Sequence, residues 1–255
     1  MNRPNVTIVG YGVVGRNVHK EFPWARIIDP YEGYPYPDGE KLGGFAFICV
    51  PTPKSEDGSC DTQIVIDAVS SIASMVDVVI VKSTVPPGTC DRISSKLNNA
   101  KIVFSPEYYG ETQHANGVDY GFVTLGGHKV ICDQVVQLYQ YVRTGATRFY
   151  ITNRKTAELA KYMENAFLAT KVVFCNEFAR IAKAYVIDYA ELRELFIADP
   201  RVNPSHTFVY KDAPYYDSKC LNKDVPGIIY AAADNGYDAK FLRHVMDRNE
   251  EFKKS

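Results

Sequence analysis

The feature that most constrains the fold of this 255-residue chain is an alternation of short apolar runs with helical patterns in its first half. The runs are nearly continuous, which is typical of strands covered on both faces. Segments with helical spacing separate them, as at 62–75 and 129–142. The alternation predicts an α/β fold with a doubly wound parallel sheet. The predicted strands are 5–10, 26–29, 45–50, 78–83, 101–105 and 122–127.

The pattern changes after about residue 152. Segment 154–185 contains no glycine or proline and carries two apolar stripes at helical spacing. It therefore predicts one long helix that is buried on two sides, against the first domain and a second subunit. From 199 to 224 the chain has the composition of a loop, and a final helical stretch is expected over about 226–252.

These changes predict two domains. Residues 1–152 are expected to form a nucleotide-binding domain. Residues 153–255 are expected to form a mostly helical domain that carries a cysteine loop and supports dimerisation.

Composition limits the classes of partner. With 29 basic and 30 acidic residues the net charge is −1, which argues against nucleic acid or a membrane surface as an obligatory partner. No run approaches the roughly 20 apolar residues of a membrane span, and the N-terminus leads at once into a predicted strand, so no signal peptide is expected. The six cysteines and five histidines are scattered, which predicts a reducing cytoplasm and no structural metal.

A glycine motif follows the first predicted strand directly. The sequence VGYGVVG is a G-x-G-x-x-G that opens a helix, where oriented N–H groups can bind a pyrophosphate. Asp29 ends the second predicted strand about 20 residues further on, where a carboxylate accepts hydrogen bonds from the ribose hydroxyls of NAD. It would repel a 2′-phosphate, so the pattern predicts a Rossmann-type domain that binds NAD rather than NADP. The expected contacts in this turn are Gly10, Gly12, Val13, Val14 and Gly15.

Further motifs follow successive strands, where ligands of open α/β sheets bind. In chain order they are VPTP (50–53), KSTVPPGT (82–89), SPEYYGE (105–111), AELAKYMENAFLATKVVFCNE (157–177), DPR (199–201) and C-x-x-K-D (220–224). This ordered series runs over nearly the whole chain and resembles the UDP-glucose/GDP-mannose dehydrogenases. These enzymes use NAD to oxidise a sugar C6 alcohol to a carboxylate, in support of polysaccharide biosynthesis.

The resemblance implies a four-electron oxidation that reduces two NAD in turn. Cys220 matches the family's nucleophile, whose thiolate adds to the intermediate aldehyde. The resulting thiohemiacetal becomes a thioester, and water then releases the acid. Lys161 and Asn165, four residues apart on the long helix, match groups that hold the developing oxyanion.

Other positions take their expected roles from the same resemblance. Asp224 and Thr84 are suited to position or activate a water, Glu107 to act as a general base, and Glu111 to act within the nicotinamide site. Further cofactor contacts are expected at Pro51, Thr52, Ser83 and Thr84. Substrate contacts are expected at Glu107, Tyr108, Tyr109, Lys161, Asn165, Arg201 and Lys223.

The chain departs from the family pattern in two respects. The family's G-F-G-G-x-C is replaced by KDAPYYDSKC at 211–220. Relatives also continue into a second Rossmann-like domain that binds the nucleotide, so we expect this chain to be a truncated member of the family.

Three hypotheses follow. The first is a nucleotide-sugar 6-dehydrogenase, with a nucleotide sugar or another activated sugar as substrate and a homodimer formed through the long helix. The second is a two-electron hydroxyacid dehydrogenase of the 6-phosphogluconate type, which needs no cysteine. The third is a non-catalytic NAD-binding module.

Overall fold

The computed structural model describes residues 3–108, 121–143 and 145–254, which fall into two compact units. The first unit comprises Met1–Ser55 and Cys60–Lys161, and the second comprises Glu56–Ser59 and Tyr162–Ser255. No described helix is long and apolar enough to cross a bilayer.

The first unit contains a seven-stranded sheet with helices between the strands. Its strands are β1 (Val6–Val9), β2 (Arg26–Ile28), β3 (Phe45–Ile48), β4 (Val78–Val81), β5 (Ile102–Phe104), β6 (Phe122–Gly126) and β7 (Arg148–Thr152). Its helices are α1 (Val13–Glu21), α2 (Gln63–Ile72), α3 (Thr89–Lys96) and α4 (Lys129–Val142). The six predicted strands are confirmed, and β7 was not predicted.

The strand order is β2-β1-β3-β4-β5-β6-β7. Strands β1 to β5 are parallel, as expected for a doubly wound fold. The sheet is mostly parallel, as predicted, and the exception is β6, which pairs antiparallel with β5 through Phe104 and Gly126. Because β1 lies between β2 and β3, connections leave it in opposite directions, and its carboxyl end is a topological switch point where ligands of such sheets bind.

Helices cover both faces of the sheet. Successive side chains of a strand point to opposite faces, so Ile8 packs with Val18 of α1 and Leu138 of α4, whereas Val9 packs with Val69 of α2 on the other side. Burial on both faces explains why the strands are nearly continuous apolar runs.

The second unit is helical. The predicted long helix is confirmed as α5 (Arg154–Ala184), which begins in the first unit. It is followed by α6 (Tyr189–Ile197), α7 (Lys219–Asp234) and α8 (Lys240–Lys253). The core of this unit joins α5 to α7 and α8 through Ala169, Val173, Leu221, Val225, Val245 and Phe252.

The expectation of a cysteine loop is corrected. Cys220 is the second residue of α7, and Lys223 and Asp224 follow within its first two turns. The helix begins here because the Ser218 side chain caps it, accepting the N–H of Leu221 at 3.1 Å.

The single final helix that the sequence predicted is also corrected. It is two helices, α7 and α8, which a turn containing Gly236 at φ +80° separates. Pro226, taken as the start of the predicted helix, lies inside α7.

The turn after α5 places a valine in an unfavourable conformation. Val186 has φ +58° and is 94% exposed. The N–H of Ile187 bonds the carbonyl of Ala182 at 2.9 Å, and the N–H of Val186 bonds that of Lys183 at 3.1 Å. This pair of bonds is the Schellman arrangement, in which the left-handed position is usually glycine.

We expect Val186→Gly to raise the free energy of unfolding by about 1 kcal/mol, because glycine removes the strain of a left-handed β-branched residue. Urea unfolding of both proteins measures the change. Lys183→Gly, placed inside the last turn of α5, is the matched control and should lower stability by about 1 kcal/mol. A destabilised Val186→Gly variant would contradict the role given to the turn.

Candidate functional site

Glycines shape the turn between β1 and α1. Gly10 has φ +91°, and a Cβ there would lie 2.8 Å from the carbonyl oxygen of Cys49. A Cβ at Gly15 would overlap the carbonyl oxygen of Gly10. Gly12 is the N-cap of α1, and a Cβ there would meet no atom within 4 Å. The backbone at the start of α1 is therefore open to the close approach that a pyrophosphate requires.

Asp29 lies directly after β2, beside this turn. Its Oδ2 accepts the N–H of Tyr11 at 2.7 Å, and its Oδ1 accepts the N–H of Tyr31 at 3.1 Å. Each carboxylate oxygen has a further lone pair, and the side chain is partly exposed, so it can also accept a ribose hydroxyl. The glycine turn and this fixed carboxylate fit NAD.

The other predicted cofactor residues of the first unit lie after β3 and β4 or in the first turn of α1. Ser83 is buried, and its hydroxyl donates to the carbonyl of Val50 at 2.6 Å, which ties the ends of these two strands together. Thr84 is partly exposed. Thr52 is buried, Pro51 and Val13 are exposed, and Val14 is partly buried.

A buried lysine that the sequence analysis did not select lies at the same edge. Lys82 follows β4 directly, and its Nζ is 3.2 Å from Oε2 of Glu107. The same nitrogen is 3.5 Å from the carbonyl oxygen of Pro106. Oε1 of Glu107 accepts the N–H of Tyr108 at 3.0 Å. The sequence feature that could have identified Lys82 is its position as a charged residue immediately after a wholly apolar strand.

Tyr108 joins this group to Lys161. The Lys161 Nζ lies 4.8 Å from the centre of the Tyr108 ring, within cation–π range. The Tyr108 hydroxyl is 3.1 Å from Oγ1 of Thr124, and its ring packs on Phe122. Glu107, Tyr108 and Lys161 thus lie together in the first unit. The predicted site residues Tyr109 and Glu111 lie outside the described residues.

Glu158 fixes the start of α5. Its carboxylate is fully buried and accepts the N–H of Gly88 at 2.5 Å and of Cys90 at 2.9 Å, at the N-terminus of α3. Burial raises the pKa of Glu158, and the two N–H donors oppose that rise. These hydrogen bonds hold Glu158 at the N-terminus of α3. Lys161 lies one turn further along α5, so the same bonds also position Lys161.

The second unit brings together most of its predicted site residues. The Nδ2 of Asn165 donates to Oδ2 of Asp224 at 2.6 Å, and the Lys223 Nζ bonds Oδ1 of Asp224 at 2.6 Å. Asn165 and Asp224 are buried. Cys220 is partly buried and lies four residues before Asp224, on the same side of α7.

Arg201, another predicted site residue, bonds Asp199 and not the side chains of this group. Its exposed guanidinium bonds the carboxylate of Asp199, with Nε 3.0 Å from both oxygens. Within the described part of the chain, no three His, Cys, Asp or Glu side chains form a group that could hold a metal ion.

The comparisons with known proteins match both units. Residues 41–143 match the model of the UDP-glucose/GDP-mannose dehydrogenase family, NAD binding domain. Residues 155–251 match the central domain of the same family. The UDP-glucose 6-dehydrogenase of Pseudomonas aeruginosa is 32% identical over 218 residues, which are 80% of this chain and 48% of that protein. The chain spans half or less of the length of the curated relatives first matched.

Solved structures share the fold. A UDP-glucose dehydrogenase from the archaeon Pyrobaculum islandicum superposes with a TM-score of 0.81 at 21% identity, over 98% of this chain and 68% of that one. A 3-hydroxyisobutyrate dehydrogenase from Mycobacterium tuberculosis superposes with a TM-score of 0.74 at 14% identity, over 100% of this chain and 95% of that one. The two family models in consecutive order, over most of the sequence, show that the chain belongs to the UDP-glucose/GDP-mannose dehydrogenase family, with the family's NAD-binding domain in its first unit.

Proposed function

We propose that the chain acts in the NAD-dependent oxidation of the C6 alcohol of a nucleotide sugar to a carboxylate. The observation that carries the proposal is the hydrogen bond between Asn165 and Asp224, which joins the family pattern of α5 to C-x-x-K-D in α7. These residue types are retained and assembled in the second unit, although the sequence before Cys220 departs from the family's glycine-rich pattern.

NAD, when bound, supplies the acceptor for the hydride removed in each of two oxidations. Gly10, Gly12 and Gly15 shape the turn that would hold its pyrophosphate, and Asp29 would hold its ribose. The position of Asp29 after the glycine turn supports NAD over NADP, because a carboxylate at the ribose repels a 2′-phosphate.

Cys220 is the proposed nucleophile. As the second residue of α7 it lies among N–H groups of a helix N-terminus, which favour a thiolate. The sulfur adds to the aldehyde carbon and the carbonyl oxygen takes up a proton, which gives a thiohemiacetal. Loss of hydride and of the hydroxyl proton gives a thioester. Water then replaces sulfur at the carbonyl carbon, releasing the acid and restoring the thiol.

The charged and amide groups around Cys220 and in the first unit complete the scheme. Lys161 and the second N–H of the Asn165 amide are suited to stabilise negative charge on the substrate oxygen. Thr84 and Glu107 are suited to orient the attacking water. Asp224 has both oxygens engaged and is 2% exposed, which supports a role in holding Asn165 and Lys223.

The stoichiometry of NADH tests the proposal against its alternatives. Nucleotide sugars and the corresponding sugar phosphates are offered with NAD, and NADH is counted per sugar consumed. We expect two NADH per sugar. One NADH would indicate a two-electron hydroxyacid dehydrogenase, whose fold the 3-hydroxyisobutyrate dehydrogenase shows to be compatible. No reduction with any sugar would indicate a non-catalytic module.

Cys220→Ser should abolish acid formation, because a hydroxyl is a far weaker nucleophile than a thiolate at neutral pH. NAD affinity, measured by titration calorimetry, should stay unchanged. Cys60→Ser, at the other partly buried cysteine, is the matched control and should retain activity. Full acid formation by the Cys220→Ser enzyme would refute the covalent mechanism.

We also propose that α5 mediates a homodimer. Its exposed apolar residues in the second unit share one side of the helix within an arc of about 60° at 3.6 residues per turn. They are Met163, Phe167, Phe174, Phe178 and Ile181. The ring centres of Phe196 in α6 and Phe174 are 6.2 Å apart, so Phe196 widens the patch. Contiguous exposed apolar surface of this kind usually marks an interface.

Phe174→Lys should shift the protein from dimer to monomer in sedimentation equilibrium, because it buries a charge in the proposed contact. Lys183→Glu changes an exposed residue on the opposite side of α5 and should leave the dimer intact. A monomeric wild-type protein, or an unaffected Phe174→Lys dimer, would count against this interface.

Asp29→Asn should weaken NAD binding by about 1–2 kcal/mol, since it removes a charged acceptor of hydrogen bonds. Calorimetric titration measures the loss. Asp77 accepts the N–H of Gly44 at 2.7 Å before β4, at the amino end of the sheet. Asp77→Asn is therefore the control for lost capping alone and should leave NAD affinity unchanged. Equal affinity of the Asp29→Asn and wild-type proteins would remove Asp29 from the cofactor site.

A further inference from the structure

Lys82 is a buried ammonium at the edge of the sheet where the site residues collect. The side chain is 6% exposed, and it lies between the ends of β4 and β5 because these strands are paired. A buried charge is costly unless an opposite charge and hydrogen bonds compensate it. Glu107 at 3.2 Å and the carbonyl of Pro106 at 3.5 Å provide that compensation.

The other titratable groups around Lys82 do not replace Glu107. Burial raises the pKa of Cys49 to about 12 and raises that of Tyr139, so both are neutral near pH 7. The Glu21 carboxylate raises the pKa of Lys82 less than Glu107 does, and it forms an ion pair with Arg143. Burial opposes the charge of Lys82, but the anionic groups, Glu107 foremost, outweigh it and raise the pKa of Lys82 above its ordinary value.

Glu107 is held at both oxygens. Lys82 contacts Oε2, and the N–H of Tyr108 donates to Oε1 at 3.0 Å. The carboxylate keeps further lone pairs, since two oxygens offer about four acceptor sites, and its side chain is 19% exposed. It is thus a fixed acceptor with one accessible side, which is the arrangement needed to orient a water or a substrate hydroxyl.

We propose that Lys82 is a positioning residue that holds the Glu107 carboxylate in the single orientation required for hydrolysis of the thioester. This inference rests on the proposed function. The same contacts extend to Lys161, because the N–H of Tyr108 bonds Glu107 while its ring covers the Lys161 ammonium. Lys82 therefore acts on the reaction through Glu107 and touches no reacting atom.

Three variants test the proposal: Lys82→Met, Glu107→Gln and the two combined. Lys82→Met should lower kcat for acid formation by about 100-fold, the usual loss when a catalytic group is misplaced by about 1 Å, with little change in KM for NAD. Because Lys82 acts only through Glu107, the double variant should be no slower than Glu107→Gln. Additive losses, or a folded Lys82→Met enzyme with wild-type kcat, would overturn the proposal.

The stability of the same variants separates misfolding from misplacement. Lys82→Met leaves the partly buried Glu107 carboxylate without its counter-ion, so the double variant should unfold at a higher urea concentration than Lys82→Met. Lys41→Met is the control, since Lys41 also donates to a main-chain carbonyl but at an exposed position, and it should keep wild-type kcat.

A crystal structure of Lys82→Met keeps this test independent of turnover. We expect the Glu107 carboxylate to leave its wild-type position. A carboxylate that stays against the Tyr108 N–H would overturn the role of Lys82, whatever the activity. Absence of NADH production by the wild-type protein would refute the proposed oxidation alone, and the crystal structure would still decide whether Lys82 holds Glu107.

Discussion

The close approach of α1 to the end of β1 is the constraint on which the first unit depends. Side chains at Gly10 or Gly15 would run into main-chain atoms, so glycine is required at both positions if the turn is to close. The turn brings the N–H groups at the start of α1 to the switch point between β1 and β3. The same contact leaves Gly12 uncovered, so the packing that completes the sheet also creates an opening for a phosphate.

Carboxylates of the first unit are held in fixed orientations by main-chain N–H groups. Asp29 and Glu158 accept main-chain N–H groups, and Glu107 accepts one N–H and pairs with Lys82. Each is therefore oriented before any ligand arrives, which removes the entropy of ordering a side chain from the cost of binding. The burial of Lys82 adds a further restraint, because its ammonium would lose its counter-ion if Glu107 turned away.

The sequence was most informative where burial is greatest. Strands covered on both faces must be apolar throughout, which is why β1, β3, β4 and β5 could be located. Strand β7 was missed because it is an edge strand whose Tyr150 and Ile151 are exposed. The start of α7 was missed because its first turn is polar, and only the cap at Ser218 marks it. The pairing of Lys82 with Glu107 depends on the adjacency of β4 and β5, which no local pattern encodes.

The second unit places the thiol of Cys220 on the first turn of a helix. Packing of Leu221 and Val225 and the bond from Asn165 to Asp224 hold α7, and with it Cys220, in place. Cys220 and Asp224 are one turn apart on a rigid helix, so fixing Asp224 also fixes the sulfur. Buried Tyr216, which stands where the family pattern has phenylalanine, is tied to α8, because its main-chain N–H and carbonyl exchange hydrogen bonds with the side chain of Asn249.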